Sequence, residues 1–285
     1  MTTTDKNSIT CRNCNNQFSG KYCNVCGEKV YAEKDKSIIH FIGEGFHFIT
    51  HFEGTFFTTV KTIFTSPGKL SLDYCNGVRK KYFKPIPLFL LLVVLYLLFP
   101  LLDGLNMKMK YYEGEGMYGN YAQKEIQAKL QETNLSYDEL AEKFHAKGEK
   151  VSKFMLLVII PFSAIFLYII GFWKKKYYFD HVVLSAELNS FYLIWGFMLF
   201  PLLYIVFQRI YFWISGNFVP LKDPVSGIII YIVFAFYSAK AFRKFYRFNW
   251  MVSIVFTLLF CFAHILIVYS LYKFLLFVAV INQIH

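Results

Sequence analysis

The sequence lacks the features of a secreted protein and of a repeat-built transporter. It opens with polar MTTTDKNSIT instead of a charged start and an apolar core, so no cleavable signal peptide is predicted and the first span is expected to direct insertion. No internal repeat is evident, which argues against transporters built from inverted repeats. Acidic residues are also few, at 19 Asp and Glu against 30 Lys and Arg.

Apolar residues dominate what is present. Hydrophobic residues make up 56% of the chain and aromatic residues 20%, and the mean hydropathy is +0.39. These values exceed those of ordinary soluble domains and predict an all-α membrane protein. Five segments could cross a hydrocarbon core of about 30 Å, which needs about 20 helical residues. They are Pro85 to Leu102, Lys153 to Trp173, Val182 to Ile214, Val225 to Ala239, which is the shortest, and Trp250 to Ile281.

Basic clusters flank these segments and predict their orientation, because short cytoplasmic flanks of membrane spans collect Lys and Arg. The clusters precede the first span, follow the second and separate the fourth from the fifth, whereas the loop after the third span holds only Lys222. Five crossings are predicted, with the N-terminus in the cytoplasm and His285 outside. The net charge of +11 is then explained by the lipid bilayer as partner, and no nucleic acid is expected. The clusters are Arg79, Lys80, Lys81 and Lys84; Lys174, Lys175 and Lys176; and Lys240, Arg243, Lys244 and Arg247.

Four cysteines near the N-terminus have the spacing of a metal site. Cys11 and Cys14, in CRNC, are separated by eight residues from Cys23 and Cys26, in CNVC. Two tight turns of this kind present four thiolates to one tetrahedral ion, which predicts structural Zn²⁺ in a ribbon over residues 1–30. Asn15 and Gly27 follow the second cysteine of each pair and tolerate the positive φ of such turns. Four protein ligands leave no open position for catalysis.

Two other interpretations of these cysteines stay open, namely a pair of disulfides and a redox-active CxxC. A cytoplasmic location disfavours disulfides because thiols are kept reduced there. Phe18 and Tyr22, between the pairs, are expected to cover the site. Cys75 and Cys261 lack neighbouring cysteines and are interpreted as small apolar residues.

Two stretches resemble known membrane proteins. CRNCNNQFSGKYCNVCGEK resembles the short zinc ribbons at the N-termini of many bacterial membrane proteins. HFEGTFFTTVKTIFTSPGKLSLDYCNGVRKKYFKPIPLFLL is similar to the segment joining ribbon to membrane in one uncharacterised bacterial family of zinc-ribbon multi-pass proteins. The resemblance implies the architecture and a location in the bacterial inner membrane. It implies no activity.

A histidine-rich stretch, HFIGEGFHFITH, lies between the ribbon and the first span. On a helix of about 100° per residue, its polar residues share one narrow stripe beside a Phe-rich body, which predicts a helix lying along the inner membrane surface or against the bundle. The stripe is a candidate second polar or metal site, because imidazoles and a carboxylate four residues apart can converge on one ion. Alternatively, the histidines occupy the wet margin of an interfacial helix. The stripe comprises His40, Glu44, His47 and His51.

Further polar side chains fall in or beside the predicted spans. His181, Glu187 and Asn189 lie near the start of the third span, and His264 lies midway through the fifth, on the same stripe as Ser253 and Thr257. Such groups are costly in lipid and are functional candidates by default. The alternative is a helix-to-helix hydrogen bond. At the membrane edge, Glu187 is expected to pair with the neighbouring lysines.

The predicted domain order is ribbon, surface helices and membrane bundle. Residues 37–84 form amphipathic juxtamembrane helices, with a turn at Pro67 and Gly68 before a short helix in LSLDYCNGV. Residues 85–281 form the five-helix bundle, and residues 103–152 form an external insert. Within the insert, Ser136 and Glu139 fit a capping box, and Gly148 is expected to end the helix that it opens.

Three classes of function fit this organisation. A non-enzymatic adaptor or regulator would use the ribbon to engage a cytoplasmic protein partner. A transporter or channel component would bring His264, Glu187 and Asn189 together in a path, with a homo-oligomer as one way to form it. A membrane metalloenzyme would need the histidine stripe to meet His181. The strength of the cysteine motif favours the adaptor.

Overall fold

The computed structural model describes residues 9–11, 14–20, 22–26, 54–99, 107–114, 118–175, 177–219 and 223–284. The chain divides into two units, residues 1–54 and 55–285, and about 77% of the described residues are helical. The all-α class predicted from composition is confirmed.

The described residues of the first unit form one small sheet. Strands β1 (Ile9–Thr10) and β2 (Gln17–Phe18) pair antiparallel, with Ile9 opposite Phe18. Strands of two residues cannot form a hydrophobic core, and the buried cluster found among the described residues of this unit consists of Phe18, Cys11 and Cys23. These residues bury too little apolar surface to stabilise a fold by themselves.

The second unit begins with a helical hairpin and one short apolar helix. Helix α1 covers residues 54–65, the turn covers residues 66–68, and α2 is Lys69–Cys75. These elements confirm the predicted turn at Pro67 and Gly68. Helix α3 is Pro85–Leu98 and starts where the proline fixes the helical φ. Its 14 residues are fewer than the roughly 20 needed to cross a bilayer.

The insert and the helix after it follow. They contain a 3₁₀ turn (Met109–Tyr111), α4 (Gly119–Thr133), α5 (Tyr137–Met155), a second 3₁₀ turn (Leu156–Val158) and α6 (Ile159–Gly171). The Glu139 carboxylate accepts the Ser136 backbone N–H at 2.8 Å, as the predicted capping box requires. Gly148 lies inside α5, so the predicted end of that helix is wrong. One glycine costs a helix only about 1 kcal/mol.

Three long apolar helices complete the unit. Tyr178–Ser215 consists of α7 (Tyr178–Leu193), π-helical turns (Ile194–Leu199) and α8 (Phe200–Ser215). Helix α9 is Asp223–Tyr246. The last helix consists of α10 (Trp250–Ile265), π-helical turns (Leu266–Tyr272) and α11 (Lys273–Ile281).

These helices determine the number of candidate membrane spans. In the described residues, Tyr178–Ser215, Val225–Tyr246 and Trp250–Ile281 are each long and apolar enough to cross a bilayer. Tyr137–Ser152 and Leu156–Gly171 would form a fourth crossing only as one span bent by 46°. The structure thus contains three candidate spans, or four with the bent pair, and five crossings remain a prediction.

Helix α7 lies at the centre of the unit. Between Val183 and Ile194 every side chain is buried, and α2, α3, α6 and α9 all pack against it. Polar side chains on this helix, among them Glu187 and Asn189, are buried together with the apolar ones and therefore need partners within the protein.

The insert packs against the end of the last helix. The ring of Tyr112 lies 5.7 Å from that of Phe144 in α5 and 5.1 Å from that of Phe277 in α11, and Tyr118 lies 5.9 Å from Phe274. Helix α11 therefore contacts protein at a position where the sequence analysis assigned a membrane span.

Candidate functional site: a thiol cluster and two buried polar clusters

The four N-terminal cysteines converge on one point. Their sulfur atoms all lie within 4.8 Å of one another, with Cys11 Sγ 3.4 Å from Cys26 Sγ and Cys14 Sγ 3.6 Å from Cys23 Sγ. Tetrahedral ligands at about 2.3 Å from a metal are separated by about 3.8 Å, so the cluster fits a tetrahedral ion. All four are free thiols at distances well beyond a bond of about 2.05 Å, which disagrees with the disulfide interpretation. The predicted ligand set is confirmed as a group that could hold a metal.

Local backbone geometry forms the two turns. Asn15 has φ 57°, and its N–H donates to the Cys11 carbonyl at 3.0 Å. This confirms the positive φ predicted at that position, whereas Gly27 lies outside the described residues. The two turns are joined by a 2.8 Å hydrogen bond from Asn16 Nδ2 to Asn24 Oδ1. A donor set held in this way needs little reorganisation to bind an ion.

The surroundings shift the pKa values of two of the thiols in opposite directions. The Cys26 backbone N–H donates toward Cys23 Sγ and lowers the pKa of the Cys23 thiol to about 6, which favours the thiolate form that binds metals. At Cys14 a backbone hydrogen bond from Asn16 acts in the same direction, but burial and the neighbouring thiols outweigh it and raise the pKa to about 12. Phe18 covers the cluster as predicted, since it is only 6% exposed. Tyr22 is 60% exposed, so its predicted covering role is wrong.

The histidine stripe of the sequence analysis falls outside the described residues. This holds for His40, Glu44, His47 and His51. Their role as a second polar or metal site stays a hypothesis.

Glu187 forms the first buried polar cluster. Its side chain is fully buried on α7 and faces the N-terminal end of α2. Oε1 accepts the Gly68 N–H at 2.7 Å and the Tyr237 hydroxyl at 3.0 Å. Oε2 accepts the Ser71 N–H at 2.7 Å and the Ser71 hydroxyl at 2.5 Å. The predicted pairing of Glu187 with lysines is therefore wrong, because backbone and hydroxyl donors of three elements surround it.

The turn residue Gly68 explains why α2 can approach so closely. Gly68 has φ +75°, and a Cβ at this position would lie 2.5 Å from the Ala241 carbonyl oxygen of α9. Only glycine permits both this backbone conformation and this contact. The first N–H groups of a helix lack intrahelical acceptors, and here the carboxylate of Glu187 accepts two of the N–H groups at the start of α2.

His264 forms the second buried cluster. Its Nε2 lies 3.0 Å from Asn189 Oδ1, and its Nδ1 lies 3.1 Å from the Tyr231 hydroxyl. The Asn189 amide donates to the Ser185 carbonyl at 2.8 Å, so its oxygen faces the ring. A neutral imidazole that donates from Nε2 and accepts at Nδ1 satisfies every contact. This arrangement agrees with the helix-to-helix hydrogen bond that the sequence analysis gave as the alternative.

His181, near the start of α7, is likewise a buried histidine whose two ring nitrogens contact groups of the protein. Its Nδ1 lies 2.8 Å from the Tyr246 hydroxyl, and its Nε2 lies 3.0 Å from the Lys175 carbonyl oxygen. Both ring nitrogens are therefore occupied by protein groups, and the ring joins α7 to the end of α9.

The two clusters do not form one path. Glu187 and Asn189 are separated by about 200° around α7, and the first faces α2 while the second faces α10. His264 and Asn189 do meet, as a transport path would require, but Glu187 does not join them. Ser253 and Thr257 are buried, and their hydroxyls lack a partner within the described part of the chain.

Sequence reasoning missed the partners of these groups. Gly68, Ser71 and Tyr237 lie far from Glu187 in the chain, and Tyr231 lies far from His264. One local signal existed, because the TSPG turn is followed by Ser71, whose hydroxyl and N–H can both donate to an anion at a helix start.

Comparison with known families gives one match. Residues 53–97, which include Gly68 and Ser71, match the model of a family described as Protein of unknown function (DUF3667). Neither the curated proteins nor the solved structures give a match to the chain. The matched segment covers α1, α2 and most of α3, and it includes both residues of α2 and its turn that donate hydrogen bonds to Glu187.

Proposed function

We propose that this chain is a multi-pass protein of the bacterial inner membrane whose cytoplasmic, structural zinc ribbon engages a protein partner, so that it acts as a non-enzymatic adaptor or regulator. Five crossings, with the N-terminus inside and the C-terminus outside, belong to the same proposal. The observation that carries it is the cluster of four cysteine sulfurs in a compact unit separate from the helical one. A closed four-cysteine site stabilises a fold and leaves no position for a substrate.

The buried polar clusters support the adaptor over a transporter. Glu187, His181 and His264 each have their oxygen or ring nitrogen atoms engaged by groups of the protein. A conduction path needs groups that exchange partners with a passing ion or solute, whereas these groups hold helices together.

Metal analysis of the purified full chain tests the ribbon. We expect one zinc ion per chain in the wild type, its loss in Cys11→Ser and its retention in His47→Ala. A protein without metal would refute the ribbon. Loss of a second ion in His47→Ala would instead support the metalloenzyme.

Photo-crosslinking tests the adaptor role. Val25 is 67% exposed on the ribbon, so a photoreactive residue placed there should yield a discrete adduct with a cytoplasmic protein in living cells. Cys11→Ser should abolish that adduct, and the same probe at Tyr121, which is 40% exposed in the insert, should not form it. Two results together would refute the adaptor in favour of a transporter. The first is the absence of an adduct that depends on the ribbon, and the second is a solute flux in proteoliposomes that His264→Gln abolishes.

A further inference from the structure

A cavity of about 430 Å³ lies beside the tip of the α1–α2 hairpin, and we call it the basic cavity. The hairpin contributes the backbone turn and its small side chains, and the last two turns of α9 and the first residue of α10 contribute the rest. Its volume falls within the range of about 300 to 1,000 Å³ typical of sites for small ligands. The cavity is lined by Thr65, Ser66, Pro67, Lys240, Arg243, Lys244 and Trp250.

Among the described residues, the lining of the basic cavity carries three positive charges and no acidic side chain. In the described residues, none of Lys240, Arg243 and Lys244 pairs with a carboxylate, because the ion pairs found there lie in the insert. The Ser66 hydroxyl also makes no hydrogen bond to a described residue, whereas the Thr65 hydroxyl donates to the Lys61 carbonyl at 2.8 Å. Four groups able to donate to an anion therefore face one cavity.

Aromatic rings hold two of these cations in place. The Arg243 guanidinium lies 4.7 Å from the centre of the Trp250 ring, and the Lys240 ammonium lies 4.3 Å from that of Phe236. Stacking limits the rotamers of a long side chain and leaves the donors of the guanidinium directed at other groups. The planar guanidinium is the side chain best suited to bind two oxygens of a phosphate at once.

Two simpler roles account for only part of this arrangement. Cations near a helix C-terminus offset its partial charge, which is about −0.5 at the end of α9, whereas the cavity carries three full charges. Cations at a cytoplasmic flank also orient a span, but Lys80, Lys81 and Lys84 serve that purpose in the first flank as exposed side chains. Neither role requires a concave site with a hydroxyl group and a stacked arginine.

The basic cavity lies near the ends of two candidate membrane spans, a level at which lipid phosphates are expected. It lies where α9 ends at Tyr246 and α10 begins at Trp250, and both helices are candidate membrane spans. Lys240 is six residues from the end of α9, or about 9 Å along the axis. Trp250 is partly exposed at a span boundary, the level at which tryptophan is enriched in membrane proteins.

We infer that the basic cavity binds a phosphate group, carried either by an anionic phospholipid headgroup or by a soluble phosphate ester. Arg243 binds the phosphate oxygens, Lys240 and Lys244 neutralise its charge, and the Ser66 hydroxyl donates one hydrogen bond. Occupancy would add a contact that joins the hairpin tip to both α9 and α10.

The test compares two variants with the same loss of charge. The cavity variant is Lys240→Gln/Arg243→Gln/Lys244→Gln, and the control is Lys80→Gln/Lys81→Gln/Lys84→Gln; all six side chains are exposed, so both proteins should fold. Delipidated full chain in neutral detergent is titrated with short-chain phosphatidylglycerol, with phosphatidylcholine, and with glycerol 3-phosphate or inorganic phosphate. Tryptophan fluorescence, which should respond through Trp250, and thermal unfolding report binding.

The outcomes distinguish the two sources. Saturable binding of phosphatidylglycerol that weakens at least tenfold in the cavity variant and less than threefold in the control supports a lipid headgroup. The same pattern with glycerol 3-phosphate or inorganic phosphate alone supports a soluble ester. Arg243→Lys should be weakened as well, because it keeps the charge but loses the planar donors. Equal weakening in the two triple variants, or no saturable binding of any phosphate probe, overturns the proposal.

Discussion

Replacing Glu187 with glutamine should loosen the hairpin from the bundle. The carboxylate accepts four hydrogen bonds, two at each oxygen, from Gly68, Ser71 and Tyr237. Glutamine keeps the shape and one oxygen, but its NH₂ group then faces two donors. The Tyr237 hydroxyl can rotate to accept from this group, whereas the backbone N–H of Gly68 cannot.

The expected loss of stability in Glu187→Gln follows from the number of hydrogen bonds that are lost or weakened. One buried N–H left without an acceptor costs about 1 to 3 kcal/mol, and the two bonds that remain each lose about 1 kcal/mol when their acceptor is no longer a carboxylate. The free energy of unfolding should therefore fall by about 3 to 5 kcal/mol, a large part of the roughly 5 to 15 kcal/mol typical of folded proteins. Tyr237→Phe removes one donor and should cost only about 1 kcal/mol.

Unfolding in mixed micelles and amide hydrogen exchange measure this effect. In Glu187→Gln, the amides of Gly68 and Ser71 should exchange faster than in the wild type. Glu142→Gln, an exposed substitution in α5 with the same change in charge, should leave both measurements unchanged. The reasoning is refuted if Glu187→Gln unfolds within about 0.5 kcal/mol of the wild type and its two amides stay protected.

Three further predictions concern other contacts. Gly68→Ala should lower the free energy of unfolding by about 1 to 3 kcal/mol more than Gly77→Ala. Both glycines have a positive φ, but only a Cβ at Gly68 would meet the α9 backbone. Equal losses in the two variants would contradict this prediction. Asn189→Ala should lower the free energy of unfolding by about 1 to 2 kcal/mol, because it removes the acceptor of His264 Nε2. Ser190→Ala should be near neutral, because the buried Ser190 hydroxyl lacks a partner among the described residues. A larger loss in Ser190→Ala than in Asn189→Ala would be inconsistent with the second cluster. The Ser136 backbone N–H lowers the pKa of Glu139. The Glu139 carboxylate should therefore stabilise α5 at neutral pH, and this stabilisation should fade as the pH falls below the ordinary carboxyl pKa of 4.5. Hydrogen exchange of the amides in the first turn of α5 should show the loss in the wild type and not in Glu139→Gln.

The predictions that the structure confirms were based on residues that are close together in the sequence. The four cysteines span only residues 11–26, so their spacing alone indicates the cluster, and the capping box needs only Ser136 and Glu139. The turn at Gly68 was likewise visible in TSPG. In each case the interacting groups are close enough in sequence for backbone geometry to bring them together.

Contacts distant in sequence could not be predicted in this way. The acceptor for Gly68 lies 119 residues away, and nothing near Glu187 in sequence indicates that it faces a helix start instead of a lysine. Hydropathy also could not distinguish α11, which packs on the insert, from the rest of the last apolar helix, because aromatic protein contacts and lipid contacts require the same apolar side chains.

The distance along the chain between the hairpin and Glu187 also bears on synthesis. Ribosomes add about 5 to 20 residues per second, so the N–H groups of Gly68 and Ser71 emerge about 6 to 24 s before their acceptor, 119 and 116 residues later. During that interval the hairpin tip must stay hydrated or be sheltered by another protein, because lipid offers no acceptor for bare amides. The hairpin can therefore dock on α7 only late in synthesis. In a nascent chain stalled before Glu187, the N–H groups of Gly68 and Ser71 would still lack their acceptor.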